Sequence, residues 1–511
     1  MRNKRSFNII IDISSIAFLL LPNLIFFIGW YKWYIGFPLT ILSVYLLYKF
    51  YRGYQSELKT DDLEIPDAKY LFGMLGVSLL LAYIGGMGEL TYQTTDYIKH
   101  NVIFSNLATK PWPVNAGDPR SPGDFLCYGL AYYLPSSSIG KIFGLKSVIA
   151  GSFIWGASGI FLCLIWIQRT VNLYKWTFIL IFLFFNGLDP LFNLIDGQVS
   201  NLNEILSWDG IGYPILLSYI SPARLVVWNP QYTIPAWLGT SMIVYLCRLH
   251  KNGVGISAFV ASLTLIWAPF ITMGLIPVWI YYLVKSRLKN LINFYSVSGG
   301  IILVIIAAYY AAHEPIKDYP EFLWQEGIAH ALRDYSLFIL VEIGVYLILV
   351  YIINRKFQLI PSSFRQLMIL SVGVLLVLPI YRMGLFNDFL MRVSMPSLLL
   401  MTLGIVSLLY KTVTEGLYRK SFPVVLLWIF FAIGATVPIR FLATPLWPAV
   451  RVAKNSIADD RYSIYDLNEL HGGWEISFQY RGSNQSFYYK YLSSNYPESS
   501  GGNLPKSPGL K

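Results

Sequence analysis

Two residues in the segment TTDYIKHN have side chains suited to catalysis, Asp96 and His100. If the segment is helical, with Thr95 as its N-cap, positions i and i+4 share a face and both side chains can point at one ligand. A carboxylate can act as a general base or ligate a divalent cation. We therefore expect acid–base chemistry centred on Asp96. The alternatives are that Asp96 only caps the helix and that His100 is a neutral interface histidine. We expect Lys99 to point away from this face, into solvent or lipid head groups.

A second group of charges lies in YRMGLFNDFLMRVSMP, where Arg382, Asp388 and Arg392 fall within eleven residues beside an apolar run. Charges at a membrane boundary are costly unless they are paired or face an aqueous cavity, so the group predicts a functional site. The alternative is a structural i,i+4 pair between Asp388 and Arg392 with side chains that extend toward water.

Further candidates are polar residues in other loops. Arg224 follows Pro222, and Gln231 lies in the segment WNPQY, which is also typical of an aromatic belt at a membrane interface. His313 and Glu314 begin a charged segment that also fits a solvated surface helix. The sequence contains no Walker A motif, no GxGxxG, no HExxH, no GxSxG and no CxxC pair, which leaves carboxylates and cations as the chemical groups to consider.

Composition identifies the elements that must position these residues. Only 13% of the 511 residues are charged, 55% are hydrophobic, and the formal net charge is +11. A soluble protein cannot cover its surface with so few charges, whereas long apolar runs can cross a bilayer as helices. The basic residues lie between apolar runs, which argues against nucleic-acid binding. The composition predicts an all-α polytopic membrane protein and excludes a cytosolic enzyme.

Hydropathy predicts about 13 transmembrane helices. The run 255–284 has basic clusters at both ends, so we expect a hairpin of two short helices broken around Pro269, which keeps both clusters on one side. The predicted spans are 7–29, 36–50, 70–86, 145–167, 176–194, 232–248, 255–284 as two helices, 292–312, 336–353, 366–381, 393–410 and 422–440.

The distribution of Lys and Arg predicts the orientation. Of the 39 basic residues, 20 lie at the N-terminus and in short loops on one side, so the N-terminus is expected in the cytoplasm and the C-terminus outside. We expect a transmembrane domain at 1–441 and a small extracytoplasmic tail at 442–511. The long polar segments then share the outer face, where loops can build a site. These segments are 87–144, 195–231, 313–335, 382–392 and 442–511.

A carboxylate in the first long outer loop, here Asp96 in TTDYIKHN, together with many spans and unequal loops resembles the GT-C superfamily of integral membrane glycosyltransferases. The phrases NDFLMRVSMP and WNPQY are similar to uncharacterised bacterial members of this type. The resemblance implies a bacterial inner or plasma membrane, a polyprenyl-phosphate sugar donor, and an acceptor of unknown kind. It also implies that Asp96 is the base or a ligand of Mg²⁺ or Mn²⁺, although the chain has one acid here rather than a pair of acids.

Sugar transfer from such a donor needs a base, cations for the departing phosphate, and an apolar groove for the lipid. The predicted phosphate-binding residues are His100, Arg224, Arg382 and Arg392. Three alternatives stay open: a metal-independent ligase or polymerase for lipid-linked polysaccharide, a lipid or solute transporter, and a non-catalytic assembly subunit.

Overall fold

A computed structural model describes residues 2–57, 64–196, 217–289, 291–314, 321–384, 387–419, 421–444, 455–473 and 475–494. Each predicted apolar run forms helix in it. The helices are α1 Arg2–Trp30, α2 Trp33–Glu57, α3 Ala68–Ile84, α4 Tyr97–Thr109, α5 Leu134–Phe143, α6 Ser147–Val171, α7 Trp176–Phe184, α8 Asp189–Asp196, α9 Pro222–Trp228, α10 Pro230–Leu249, α11 Gly253–Leu263, α12 Pro269–Lys285, α13 Phe294–Tyr310, α14 Ile328–Ile339, α15 Val345–Phe357, α16 Ser362–Val377, α17 Asp388–Val393, α18 Met395–Thr414, α19 Phe422–Ala443 and α20 Leu467–Leu470.

Among the described residues, eight helical segments are long and apolar enough to cross a membrane, and four shorter apolar helices accompany them. Large apolar side chains such as Trp33, Phe72 and Phe422 are at least 74% exposed, as expected for surfaces that contact lipid. The prediction of an all-α polytopic membrane protein is confirmed, and the count of thirteen spans stays a prediction. The eight segments are Phe7–Trp30, Trp33–Tyr54, Ser147–Val171, Trp176–Leu194, Ile328–Phe357, Ser362–Ile380, Met395–Thr414 and Phe422–Ala443.

The helix break expected near Pro269 is present. Helix α11 ends at Leu263, and α12 begins at Pro269, whose missing N–H is tolerated in a first turn. The hydroxyls of Thr264 and Thr272 are 2.8 Å apart across the bend. The predicted hairpin geometry is therefore observed.

Segments that are far apart in sequence join on one face of the bundle. Strand β1 (Phe125–Leu126) in the first long loop pairs antiparallel with β4 (Arg481–Gly482) in the tail. Strand β2 (Glu321–Phe322) pairs with β3 (Tyr381–Arg382), and His313 makes a bridge to Gly482. We call this side the loop-rich face.

The described part of the tail is integrated into the loop-rich face and does not form a separate unit. Asn101 and Asn106 on α4 donate to the carbonyl oxygens of Asn455 and Tyr462, and the Tyr488 hydroxyl donates to the Trp30 carbonyl. The last residues of the chain lie outside the described residues.

An ion pair lies inside the helical bundle. Arg169 on α6 binds Asp12 on α1, and the side chains are 0% and 1% exposed. The Tyr54 hydroxyl donates to Asp12 at 2.8 Å, and Arg169 also contacts Tyr245 and Asn8. Because each charge has an opposite charge and several hydrogen bonds, the cost of burying both is offset.

Candidate functional site

Asp96 lies at the N-terminal end of α4, directly before Tyr97. The N-cap is Asp96 rather than Thr95, and its side chain makes no capping hydrogen bond. Instead, Oδ1 lies 3.0 Å from the Lys99 ammonium, and Oδ2 accepts a hydrogen bond from the Trp228 indole. The alternative in which Asp96 only caps a helix is therefore not what the geometry shows.

Lys99 is part of the site, and the expectation that it points away was wrong. Asp96 has helical backbone angles, so positions i+3 and i+4 both lie near its side chain, and the carboxylate meets Lys99 at i+3. The Lys99 side chain is 12% exposed and that of Asp96 is 29% exposed. The pair is thus enclosed on most sides, and the Asp96 side chain is the more exposed of the two.

Opposite effects act on the two pKa values. Burial acts to raise the pKa of Asp96, but the positive charge of Lys99, the nearby His100 and the two hydrogen bonds outweigh it and hold the pKa at about 2. Burial acts to lower the pKa of Lys99, yet Asp96 and neighbouring tyrosines raise it well above its ordinary value. At neutral pH both groups are charged.

A group of tyrosines connects Lys99 to Arg392. The hydroxyls of Tyr128 and Tyr232 are hydrogen-bonded, and the Arg392 guanidinium lies 4.1 Å from the centre of the Tyr232 ring. Burial raises the pKa of Tyr128, and the positive charges of Lys99 and Arg392 both oppose that effect. Two cations therefore flank the same pair of hydroxyls.

Arg392 also binds Asp388, with Nη2 and Oδ1 2.5 Å apart, on the short helix α17. Both side chains are about one-fifth exposed, so they lie between the protein interior and solvent. The predicted i,i+4 pair is present, and it lies beside Tyr232 of the candidate site. Arg392 can therefore bind Asp388 in a structural pair and also belong to the candidate site.

The second loop and the tail each contribute aromatic residues. Trp228, which binds Asp96, also lies under the Arg224 guanidinium at 4.8 Å from its ring centre. Tyr480 comes from the tail, and its ring lies 5.0 Å from that of Tyr128. Burial raises the pKa of Tyr480 to about 12, while Lys99 acts to lower it. Residues about 380 positions apart in sequence therefore share one site.

His100 is close to Asp96 in sequence, but its ring is directed elsewhere. The side chain is 2% exposed, and Nδ1 lies 2.7 Å from the Tyr133 hydroxyl. Burial lowers the pKa of His100 to about 3, with a further contribution from Lys99. His100 is therefore neutral near pH 7, and a cationic phosphate contact would require a large change in its surroundings.

Arg382 lies in the β2–β3 ribbon, where it pairs with Glu321 at 3.1 Å.

Gln231 is 1% exposed, and its carboxamide oxygen has no hydrogen-bond partner among the residues that the structure describes. Because Gln231 precedes Tyr232, this unsatisfied acceptor lies in the helical turn that carries part of the site.

His313 and Glu314 hold the tail in place. The His313 imidazole lies 3.0 Å from the Gln479 carbonyl oxygen, and Glu314 binds Arg481 at 2.8 Å. Arg481 also binds Asp118 of the first loop. Their contacts are therefore with the segment that carries Tyr480 and not with Asp96.

The residues around Asp96 do not fit a divalent cation in this arrangement. One carboxylate oxygen is taken by an ammonium group and the other by an indole N–H. No group of three His, Cys, Asp or Glu side chains able to hold a metal ion is found in the described ranges. Mg²⁺ and Mn²⁺ prefer several oxygen ligands, and here Lys99 occupies the position next to the carboxylate.

Sequence reasoning missed Lys99, Tyr128, Trp228, Tyr232 and Tyr480. Only Lys99 had a local signal, its i,i+3 spacing from Asp96; the others are brought in by the tertiary fold. No protein-family model, no curated protein and no solved structure matches this chain.

Proposed function

We propose that this chain is an integral membrane glycosyltransferase that moves a sugar from a polyprenyl-phosphate donor to an acceptor hydroxyl on the extracytoplasmic face. The observation that carries the proposal is the arrangement of Asp96, Lys99 and Arg392 around the Tyr128–Tyr232 pair. It combines one accessible carboxylate with two cations and several aromatic rings on the loop-rich face.

In the proposed reaction the acceptor oxygen attacks the anomeric carbon of the sugar while its proton passes to the Asp96 carboxylate. The bond between the anomeric carbon and the phosphate oxygen breaks, and both its electrons stay on the polyprenyl phosphate. Arg392 and Lys99 stabilise that negative charge, with the planar guanidinium suited to phosphate oxygens. Tyr232, Tyr128 and Trp228 offer ring faces and polar tips to the sugar.

Lys99 gives the proposed site a way to activate its base. With no phosphate present, the Lys99 ammonium holds the Asp96 pKa at about 2, which makes the carboxylate a weak base. A donor phosphate attracts the same ammonium and weakens its effect on Asp96. Burial, which raises the pKa of Asp96, is then less opposed. Donor binding thus raises the basicity of Asp96 when the acceptor is needed.

The proposal includes the finer topology: thirteen spans, the N-terminus in the cytoplasm, and the loop-rich face outside in a bacterial inner or plasma membrane. Polyprenyl-linked donors expose their phosphate at a membrane surface, so a site among loops at that boundary matches the substrate. Membrane lipids and the donor are the proposed partners, and nucleic acid is not.

A second candidate is the metal-independent ligase or polymerase of lipid-linked polysaccharide. The contact of Lys99 with Asp96 favours it, because that contact disfavours a divalent cation. The two candidates differ in acceptor, since the ligase joins a lipid-linked glycan chain and not a single sugar.

A transporter is favoured by a different feature. Glu342 is 2% exposed on a π-helical turn, Leu340–Gly344, beside Gly187 at the interruption between α7 and α8. Interrupted helices and buried acids within a span are typical of ion or substrate pathways. Substrate movement without bond cleavage would support this candidate.

The test is a reconstitution of the full chain in liposomes with a panel of polyprenyl-phosphate sugars and candidate acceptors, followed by measurement of released polyprenyl phosphate. For Asp96→Asn we expect turnover to fall by about 10²–10⁴, the usual contribution of a general base. The matched control is Asp460→Asn, which removes an exposed acid in the described part of the tail.

Three outcomes separate the candidates. Loss of turnover in Asp96→Asn with normal turnover in Asp460→Asn supports the proposal. Wild-type turnover in Asp96→Asn, in protein of normal yield, would remove Asp96 from the mechanism. Transfer of a preassembled glycan but not of single sugars identifies the ligase, and substrate movement without released polyprenyl phosphate identifies the transporter.

A further inference from the structure

A cavity of about 400 Å³ lies at the far end of α10 from the candidate site. Tyr232 and Leu249 are 17 residues apart on this helix, which at 1.5 Å per residue separates the two sites by about 26 Å. The cavity is lined by Arg248, His250, Lys251, Gly253 and Lys285, with Ser286 at its edge. It therefore belongs to a different part of the molecule from Asp96.

The lining of this cavity is electropositive. Among the residues that the structure describes, the lining includes an arginine and two lysines, and none of these lining residues is Asp or Glu. Gly253 is the first residue of α11, an 11-residue helix, so the partial positive charge of that N-terminus adds to the side-chain charges. Such a combination of basic side chains and helix N–H groups suits a phosphate group.

The predicted hairpin explains why the cations meet here. Arg248 and Lys251 precede α11, and Lys285 ends α12, so the bend at residues 264–268 returns the chain to the same side. The Trp279 indole on α12 donates to the Val254 carbonyl of α11 at 3.0 Å, which holds the two ends of the hairpin together. The cavity is thus a built feature of the hairpin and not a chance gap between loops.

Helix α12 also carries an exposed apolar stripe on the side away from the cavity. Met273, Ile276, Ile280 and Val284 are 44–62% exposed, at the three- and four-residue spacing of one helix face. At about 100° per residue, this face lies roughly opposite Tyr282, which lines the cavity. The cavity thus lies at the basic end of a helix whose other face is suited to contact lipid, which is where phospholipid headgroups are expected.

We propose that this cavity binds a phosphate group, with the headgroup of an anionic phospholipid as its source. Basic cavities between membrane helices are known to hold anionic headgroups through combined charge and hydrogen bonding. The site is independent of the proposed sugar transfer, because it shares no lining residue with the Asp96 site.

The test compares full-length wild-type protein with Lys251→Gln/Lys285→Gln. Proteins are placed in nanodiscs of phosphatidylcholine with increasing phosphatidylglycerol, and retained phosphatidylglycerol is measured by native mass spectrometry. Loss of two basic contacts predicts about 30-fold weaker retention. Lys289→Gln is the matched control, because Lys289 is an exposed lysine four residues beyond Lys285 and does not line the cavity.

A second arm adds inorganic phosphate to detergent-purified protein and measures its binding by calorimetry. Retention of phosphatidylglycerol that inorganic phosphate does not displace identifies a lipid headgroup, whereas binding of inorganic phosphate alone identifies a free anion at the same site. Lys251→Arg/Lys285→Arg should restore either binding, which separates loss of charge from misfolding. Equal loss in Lys289→Gln, or no binding of either probe to the wild type, would overturn the proposal.

Discussion

Two buried ion pairs in this chain have the same chemistry and different surroundings. The Asp12–Arg169 pair is at most 1% exposed and is hydrogen-bonded to Tyr54, Tyr245 and Asn8. The Asp96–Lys99 pair is 29% and 12% exposed and lies among tyrosine hydroxyls and aromatic rings. The first pair is closed to ligands, and the second can be reached by one.

Exposure separates the structural Asp12–Arg169 pair from the Asp96–Lys99 pair of the candidate site. A pair enclosed on every side is held by the fold and cannot exchange partners, whereas a pair with one accessible carboxylate can exchange a protein cation for a substrate anion. A buried carboxylate beside a cation is therefore not sufficient to mark a site, and access of a ligand decides between the two cases.

The largest effect is expected for Arg169→Met, which leaves the Asp12 carboxylate buried without its cation. We expect a loss of about 3–5 kcal/mol in stability, since removal of one partner of a buried pair is far more costly than removal of both. Thermal unfolding followed by fluorescence-detected size exclusion measures it. Asp12→Leu/Arg169→Met should recover most of the stability, and a double variant as unstable as Arg169→Met would contradict the assignment of a structural pair.

Lys99→Met should instead impair turnover, by about 10²–10³, because a cation that stabilises transition-state charge is lost. Its stability should change by only about 1–2 kcal/mol, given the accessible position of the pair. If Lys99→Met unfolds the protein as Arg169→Met does, the distinction between the two pairs fails.

Lys99→Met should also change the pH dependence of activity. Lys99 holds the pKa of Asp96 at about 2, so wild-type activity should not fall with acid until far below neutral pH. Without Lys99, the effect of burial is less opposed, so the pKa of Asp96 rises from about 2, and activity falls as the pH decreases through that higher value. A kcat/KM profile checks this, and an unshifted acid limb would exclude Asp96 as the base.

Arg392→Gln should raise the KM for the donor by about tenfold, the effect of one lost charge-assisted hydrogen bond to phosphate. The Tyr232 ring and Asp388 remain as packing partners, so the variant should fold. An unchanged KM with wild-type kcat would leave Arg392 as a structural partner of Asp388 alone.

Arg382→Gln gives the smallest expected effect, a change in turnover of less than about twofold. Arg382 pairs with Glu321 in a partly exposed ribbon, and such pairs contribute about 0–1 kcal/mol to stability. Initial rates at saturating donor measure it. A tenfold loss would return Arg382 to the phosphate-binding residues that the sequence predicts.

The helices could be predicted from sequence because apolar run length and Pro269 act locally. Each predicted run forms helix, and the break falls at Pro269, inside the basic-flanked run 255–284. The composition of the candidate site was harder to predict. Asp96 is a candidate because of its type and position, but Trp228, Tyr128 and Tyr480 are brought near it by tertiary packing that no local pattern encodes.

Residue spacing alone did not identify the contacts of these side chains. The i,i+4 rule paired Asp96 with His100, whereas the Asp96 carboxylate contacts Lys99 at i+3 and the His100 ring contacts Tyr133. His313 and Glu314 have suitable chemistry, and the tail takes up their hydrogen bonds. The contacts of such side chains depend on partners that are distant in sequence, which residue spacing does not reveal.

The position of Tyr480 near the end of the chain determines when the candidate site can form during synthesis. The residues at the site span from position 96 to position 480, and the last is positioned by the pairing of Arg481 and Gly482 with Phe125 and Leu126. Ribosomes must therefore deliver nearly all of the bundle to the bilayer before the site exists. A nascent chain that ends at α19 still lacks one wall of the candidate site, so the proposed sugar transfer requires the tail.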